Sequence, residues 1–87
     1  MNTWSVYMLR CCDGTFYTGI STDVPRRVYR HNKGTGAKYT RTRRPVKLVW
    51  LEAAASFGDA QRRERNIKKL SREQKKRLIS KDFQGYE

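Results

Sequence analysis

Apolar and aromatic residues alternate along 4–11 (WSVYMLRC), the two-residue period of a strand, and 15–20 (TFYTGI) continues in the same style. Between them, Cys12-Asp13-Gly14 reads as a tight hairpin. A two-residue Asp-Gly loop would set Val6 and Met8 on one face with Tyr17 and Gly19. A three-residue loop, with Gly14 left-handed in a G1 bulge, pairs positions whose numbers sum to 26. Trp4, Val6, Met8, Phe16 and Ile20 then share one face, and Tyr7, Leu9, Thr15, Tyr17 and Gly19 the other. The second register separates an apolar face from a tyrosine-bearing one and is preferred, because a one-residue slip moves every side chain of a strand to the wrong side.

From residue 21 the period lengthens. Ser21-Thr22-Asp23 supply capping side chains and Pro25 sits in a first turn, which predicts a helix from Val24 to Asn32. Val24 and Val28 stand one turn apart, with Arg27 and His31 alongside. Residues 33–45 (KGTGAKYTRTRRP) read as an irregular basic loop. Residues 46–53 (VKLVWLEA) predict a third strand in which Val46, Leu48 and Trp50 alternate with Lys47, Val49 and Leu51, apolar enough for cover on both faces. Asp59 is the expected cap of a second helix, Ala60 to Leu70. Ser71-Arg72-Glu73-Gln74 is a capping-box signature opening a third, Arg72 to Ser80. The order β-β-α-β-α-α implies an α+β fold, a small three-stranded, largely antiparallel sheet flanked by three helices. One domain is expected over 1–82, with 83–87 a frayed tail.

Composition narrows the function. Eighty-seven residues sustain one compact domain, and 37% hydrophobic residues with 11% aromatics provide few but large groups for a core. Twenty Lys+Arg against eight Asp+Glu leave a net charge of +12, a surplus beyond the needs of solubility. It points to nucleic acid as partner, because each neutralised phosphate releases condensed counterions. A membrane is the weaker rival, since no segment approaches the roughly 18 apolar residues of a spanning helix. The N-terminus carries its charge after the apolar stretch, unlike a signal peptide. Cys11 and Cys12 are adjacent, ill placed to pair with each other and without zinc spacing, so reduced thiols and a cytoplasmic location are expected.

Few residues can carry chemistry. Tyr7 and Tyr17 project from one hairpin face; strand tyrosines mostly pack, but Gly19 beside them marks a close approach of another group. Arg27 and His31 offer a fixed cation and a titratable imidazole on one helical face, and a guanidinium near an apolar stripe suits a phosphate. His31 is the sole histidine, so a two-histidine metal site is excluded. Glu64 lies along the apolar stripe of the second helix, where a carboxylate needs a partner. It pairs either with Lys68 at i+4 or with a hard cation that takes few protein ligands. Tyr29 and Tyr39 offer packing surface first and base stacking second.

Taken in order, these residues resemble the GIY-YIG endonuclease superfamily over about residues 4–80, on the scale of its small stand-alone bacterial members. Ser5-Val6-Tyr7 stands for the first tripeptide and Tyr17-Thr18-Gly19 for the second. Arg27 looks like the family's catalytic arginine with His31 one turn on, and Glu64, in Arg63-Glu64-Arg65-Asn66, like its metal-binding glutamate. Ser5 replaces the first glycine, and Leu78-Ile79-Ser80-Lys81 has no clear counterpart of a late polar residue common in the family. The resemblance implies a metal-dependent endonuclease using one Mg²⁺ or Mn²⁺ at Glu64, with Arg27 stabilising transition-state charge and Tyr7 or Tyr17 helping to activate water. Its substrate is expected to be nucleic acid, DNA foremost, cut with little or no sequence specificity by a monomer that a partner protein could target. Arg26, Arg30, Lys38, Arg41, Arg43, Arg44 and Lys68 are expected phosphate contacts, and Gly14 and Gly19 structural positions. The alternative is a non-catalytic nucleic-acid-binding module on the same fold, whose salt-sensitive binding would survive Arg27→Ala and Glu64→Ala.

Overall fold

A computed structural model of the chain describes residues 3–82. Its centre is a sheet of three strands, β1 (Ser5–Arg10), β2 (Phe16–Ser21) and β3 (Lys47–Ala53), in the order β2-β1-β3 with both pairings antiparallel. The hairpin adopts the bulged register: Ser5 faces Ser21 and Tyr7 faces Gly19. Gly14 is left-handed at φ 85°, and its N–H donates to the Cys11 carbonyl at 2.9 Å while the Cys11 N–H donates to Thr15 O at 2.8 Å. Asp13 Oδ1 locks the turn by accepting from the Thr15 N–H (3.1 Å) and hydroxyl (2.6 Å).

Four helices follow or interleave: α1 (Val24–Lys33), α2 (Lys38–Arg41), α3 (Phe57–Lys68) and α4 (Arg72–Asp82). Asp23 caps α1, accepting from Arg26 N–H, and Gly34 closes it in the left-handed conformation at φ 88°. The capping box of α4 forms in both directions, Gln74 N–H to Ser71 Oγ at 3.2 Å and Ser71 N–H to Gln74 Oε1 at 2.8 Å.

Three expectations need correction. The stretch 33–45 is not wholly irregular, because Lys38–Arg41 makes the helical turn α2. The second long helix begins at Phe57 and ends at Lys68, and its cap is Ser56, whose Oγ accepts the Asp59 N–H at 3.1 Å. Asp59 sits inside the first turn and pairs with Arg62 instead. In β3 the alternation breaks: Met8 faces Trp50 but Leu9 faces Leu48, so Val49 is an extra residue in a bulge. Trp50 therefore lies on the opposite face from Val46 and Leu48. The expected frayed tail, residues 83–87, lies outside the described residues.

Both faces of the sheet are covered, as β3 suggested. One core joins Val6, Met8 and Trp50 to Ala60 and Ile67 of α3, with Leu78 and Ile79 of α4 against it. The other joins Tyr7, Leu9 and Cys11 to Val24 and Val46, with Val28 of α1 and Leu48 beside them. Asn32 fastens α1 to the start of β3, its Oδ1 accepting the Val46 N–H at 2.7 Å and its Nδ2–H donating to Val46 O at 3.1 Å. Helices thus stand on opposite faces, and β2 is a sheet edge with no partner on its outer side among the described residues. No described helix is long and apolar enough to cross a membrane.

Candidate active site

The site grows from the pairing of Tyr7 with Gly19. A Cβ on Gly19 would lie 2.6 Å from Tyr7 Oη, so only the missing side chain lets the tyrosine ring lie across β2. Tyr7 is fully buried, and its hydroxyl meets His31 Nε2 at 2.9 Å. His31, also fully buried, has its other nitrogen 2.8 Å from Thr40 Oγ1, and Thr40 donates its hydroxyl proton to Ala37 O at 3.0 Å. With that proton committed, Thr40 accepts from His31 Nδ1–H, which leaves Nε2 free to accept the Tyr7 phenol. The Ala37 N–H reaches Nδ1 only at 3.4 Å, the longest of these contacts. Gly36 packs so closely on the imidazole that any Cβ there would collide with it.

Burial and the neighbouring Arg27 guanidinium push the His31 pKa down to about 4, so the imidazole is neutral near neutral pH. Tyr7 is pushed the other way, up to about 12, first by burial and then by Tyr17. Arg27 lies alongside the phenol and opposes that rise, and the Glu64 carboxylate adds to it. Arg27 comes from α1 on one face of the sheet and Glu64 from α3 on the other. Both helices pack against β2, so the guanidinium and the carboxylate are carried by elements that meet the same edge strand.

Tyr17 lies beside this pair, 6.4 Å from the Tyr7 ring and edge-on to His31 at 5.1 Å. Glu64 is only 21% exposed, and its Oε2 accepts from Lys68 Nζ at 3.0 Å, the i+4 pair that was one of its two readings from sequence. No cluster of three or more His, Cys, Asp or Glu occurs among the described residues. A zinc-type cage is therefore not what Glu64 belongs to. One half-buried carboxylate on α3 fits a hard cation that draws its other ligands from water and phosphate.

The expected phosphate contacts divide into two groups. Arg26 and Arg30 line a recess of about 160 Å³ with Ser21, Asp23 and Arg27. Lys38 and Arg41 are exposed and make no ion pair among the described residues. Arg43 is occupied: its Nε–H donates to Asp13 Oδ2 at 3.1 Å and its Nη1–H to Tyr39 O at 2.8 Å. Arg44 likewise donates to Arg41 O at 2.9 Å. These two arginines hold the loop around α2 in place. Thr40 and Gly36 escaped the sequence reading, because a threonine and a glycine in a basic loop carry no signal until the fold lays them on His31.

A profile of the GIY-YIG catalytic domain matches residues 3–77. The chain belongs to the GIY-YIG family. A UPF0213 protein of Halobacterium salinarum is 58% identical over 85% of this chain and 96% of its own length. One from Staphylococcus saprophyticus is 45% identical over 92% and 98%. Among solved structures, the solution NMR structure of UPF0213 protein BH0048 from Bacillus halodurans is similar at 47% identity and a TM-score of 0.61, covering 93% of this chain and 86% of that one. The protein EF2693 from E. faecalis is similar at 41% identity and 0.64, with the same coverage. In this chain Ser5-Val6-Tyr7 and Tyr17-Thr18-Gly19 lie side by side on β1 and β2, and the tyrosine of the first needs the glycine of the second.

Proposed function

We propose that this member of a nuclease superfamily is a divalent-metal-dependent endonuclease hydrolysing phosphodiester bonds of nucleic acid, DNA foremost. The observation that carries the reading is the buried Tyr7–His31 hydrogen bond with the Arg27 guanidinium beside the phenol, under the edge strand against which the Glu64-bearing helix packs. A binding module has no physical need for a carboxylate beside an anionic backbone.

In this reading Glu64 would hold Mg²⁺ or Mn²⁺ in place of its Lys68 partner, and the chemistry supplied there would be Lewis-acid stabilisation of charge on the phosphate oxygens. Arg27 faces the charge that builds on the phosphorane-like transition state. Tyr7 directs its proton to His31 Nε2 and, fully buried, keeps its oxygen beside the Arg27 guanidinium, which it helps to hold toward the substrate phosphate. His31 and Thr40 hold that direction. Tyr17, half-buried beside Tyr7, is in this reading the tyrosine that accepts a hydrogen bond from the attacking water. Arg26, Arg30, Lys38 and Arg41 grip flanking phosphates without reading sequence, consistent with a surplus of +12 on so small a chain.

The test is nicking of supercoiled plasmid in Mg²⁺ or Mn²⁺ beside Glu64→Gln and Arg27→Ala. Nicking is expected from the wild type and not from either variant or in EDTA. Equal activity of Glu64→Gln, or activity unaffected by chelation, would falsify the reading.

A further inference from the structure

Next to the reacting cluster runs a groove of about 330 Å³, lined by Phe16, Tyr17, Thr18, Tyr39, Lys68 and Lys75. Its volume falls at the low end of the about 300–1,000 Å³ typical of small-ligand sites. Four features make it a built site. Tyr39 stacks on Tyr17 at 6.1 Å and 22°, and the Arg43 guanidinium lies 3.9 Å from the Tyr39 ring centre, so the aromatic wall is ordered before anything binds. Lys68 and Lys75 supply cations, Lys75 making no ion pair among the described residues. Thr18 is 3% exposed, yet its Oγ1 has no hydrogen-bond partner among the described residues.

The fourth feature is backbone. Cys11 N–H bonds Thr15 O, so by antiparallel alternation Thr15, Tyr17 and Gly19 turn their peptide groups toward β1. Phe16, Thr18 and Ile20 turn theirs to the open edge of β2, along which the groove lies. Aromatic rings, two ammonium groups and unpaired peptide groups together suit one amphipathic unit: a base attached to a phosphate.

We propose that this groove is a subsite for a single unpaired nucleotide of the nucleic-acid strand, adjoining the phosphate to be cut. The inference rests on the nuclease reading for its adjacency, because Tyr17 and Lys68 belong to both groove and cluster. It extends that reading to the substrate class. A base held in a duplex cannot enter a groove one nucleotide in size, so the enzyme works on strands that are single, frayed or flipped there.

Binding is measured by fluorescence anisotropy in EDTA, with end-labelled oligothymidylate alone and paired with oligoadenylate. The expected result is single-strand binding about ten-fold tighter than duplex binding. Tyr39→Ala removes the preference while Tyr39→Phe retains it. Lys75→Ala, at a half-buried position of α4, lowers the slope of log affinity against log salt by about 0.7 for the single strand and leaves the duplex slope unchanged. Equal affinity for both forms, or substitutions that weaken both by one factor, overturns the proposal. Should circular dichroism show Tyr39→Ala unfolded, an unchanged single-strand slope in Lys75→Ala overturns it instead. Oligouridylate and its duplex serve as a second pair, and a single-strand preference with either sugar supports the groove. Failure of the nuclease reading looks different: strand preference persists, but Mg²⁺ brings no cleavage of any probe.

Discussion

His31 makes a prediction that needs no substrate. It is the only histidine in the chain, fully buried, and its pKa is lowered from 6.5 to about 4 by burial and by Arg27. Lowering means that the unfolded chain takes up a proton where the folded one refuses it. The stability contributed is present above the unfolded pKa of 6.5 and is lost as pH falls toward about 4. Integrating between those two values gives a loss of about 2 kcal/mol from pH 7 to pH 5, a large share of what an 87-residue domain possesses. Asp13, whose carboxyl is held below its usual range by bonds from Thr15, titrates beneath this window. Two measurements check the reasoning. Proton NMR of a single imidazole resonance should give a midpoint near 4, and urea unfolding should show the midpoint concentration falling between pH 7 and pH 5 with constant slope. A histidine midpoint near 6.5, or flat stability across that interval, refutes the burial argument and the Tyr7–His31–Thr40 chain with it.

Other outcomes follow from single contacts. Arg27→Ala should raise the histidine midpoint, but not all the way to 6.5, because burial is the larger cause and remains; the same NMR titration reads it. Gly19→Ala should cost about 1–3 kcal/mol in urea unfolding, since its Cβ would meet Tyr7 Oη at 2.6 Å and that ring is locked in the core. Wild-type stability in this variant would show that Tyr7 does not lie across Gly19. Lys68→Ala frees the Glu64 carboxylate from its ammonium partner, so calorimetric Mn²⁺ titration should tighten up to about five-fold, the ceiling set by a partly exposed pair. Weaker Mn²⁺ binding would contradict the competition between lysine and metal. Ser56→Ala should destabilise by about 1 kcal/mol through loss of the α3 cap, whereas a cap at Asp59 would leave it neutral.

The local chemistry of the chain was enough to favour one of two hairpin registers, because only the three-residue loop with a left-handed Gly14 separates an apolar face from a tyrosine-bearing one, and Tyr7 faces Gly19 as that register requires. The Asp23 cap, the single capping box at Ser71 and the helix periods likewise placed α1 and α4 within a few residues, and the order of Tyr7, Tyr17, Arg27, His31 and Glu64 was a signature before any contact was known. Only tertiary packing decided the rest. The β3 bulge at Val49 answers to the two cores that Trp50 and Leu48 must fill on opposite faces, a demand invisible in a strand read alone. Thr40 and Gly36 acquire meaning from α2 folding back over His31, and the aromatic groove from Tyr39 and Lys75 arriving at one sheet edge from distant segments. Periodicity encodes which way a side chain points along its own element; which partner it meets depends on how the layers close.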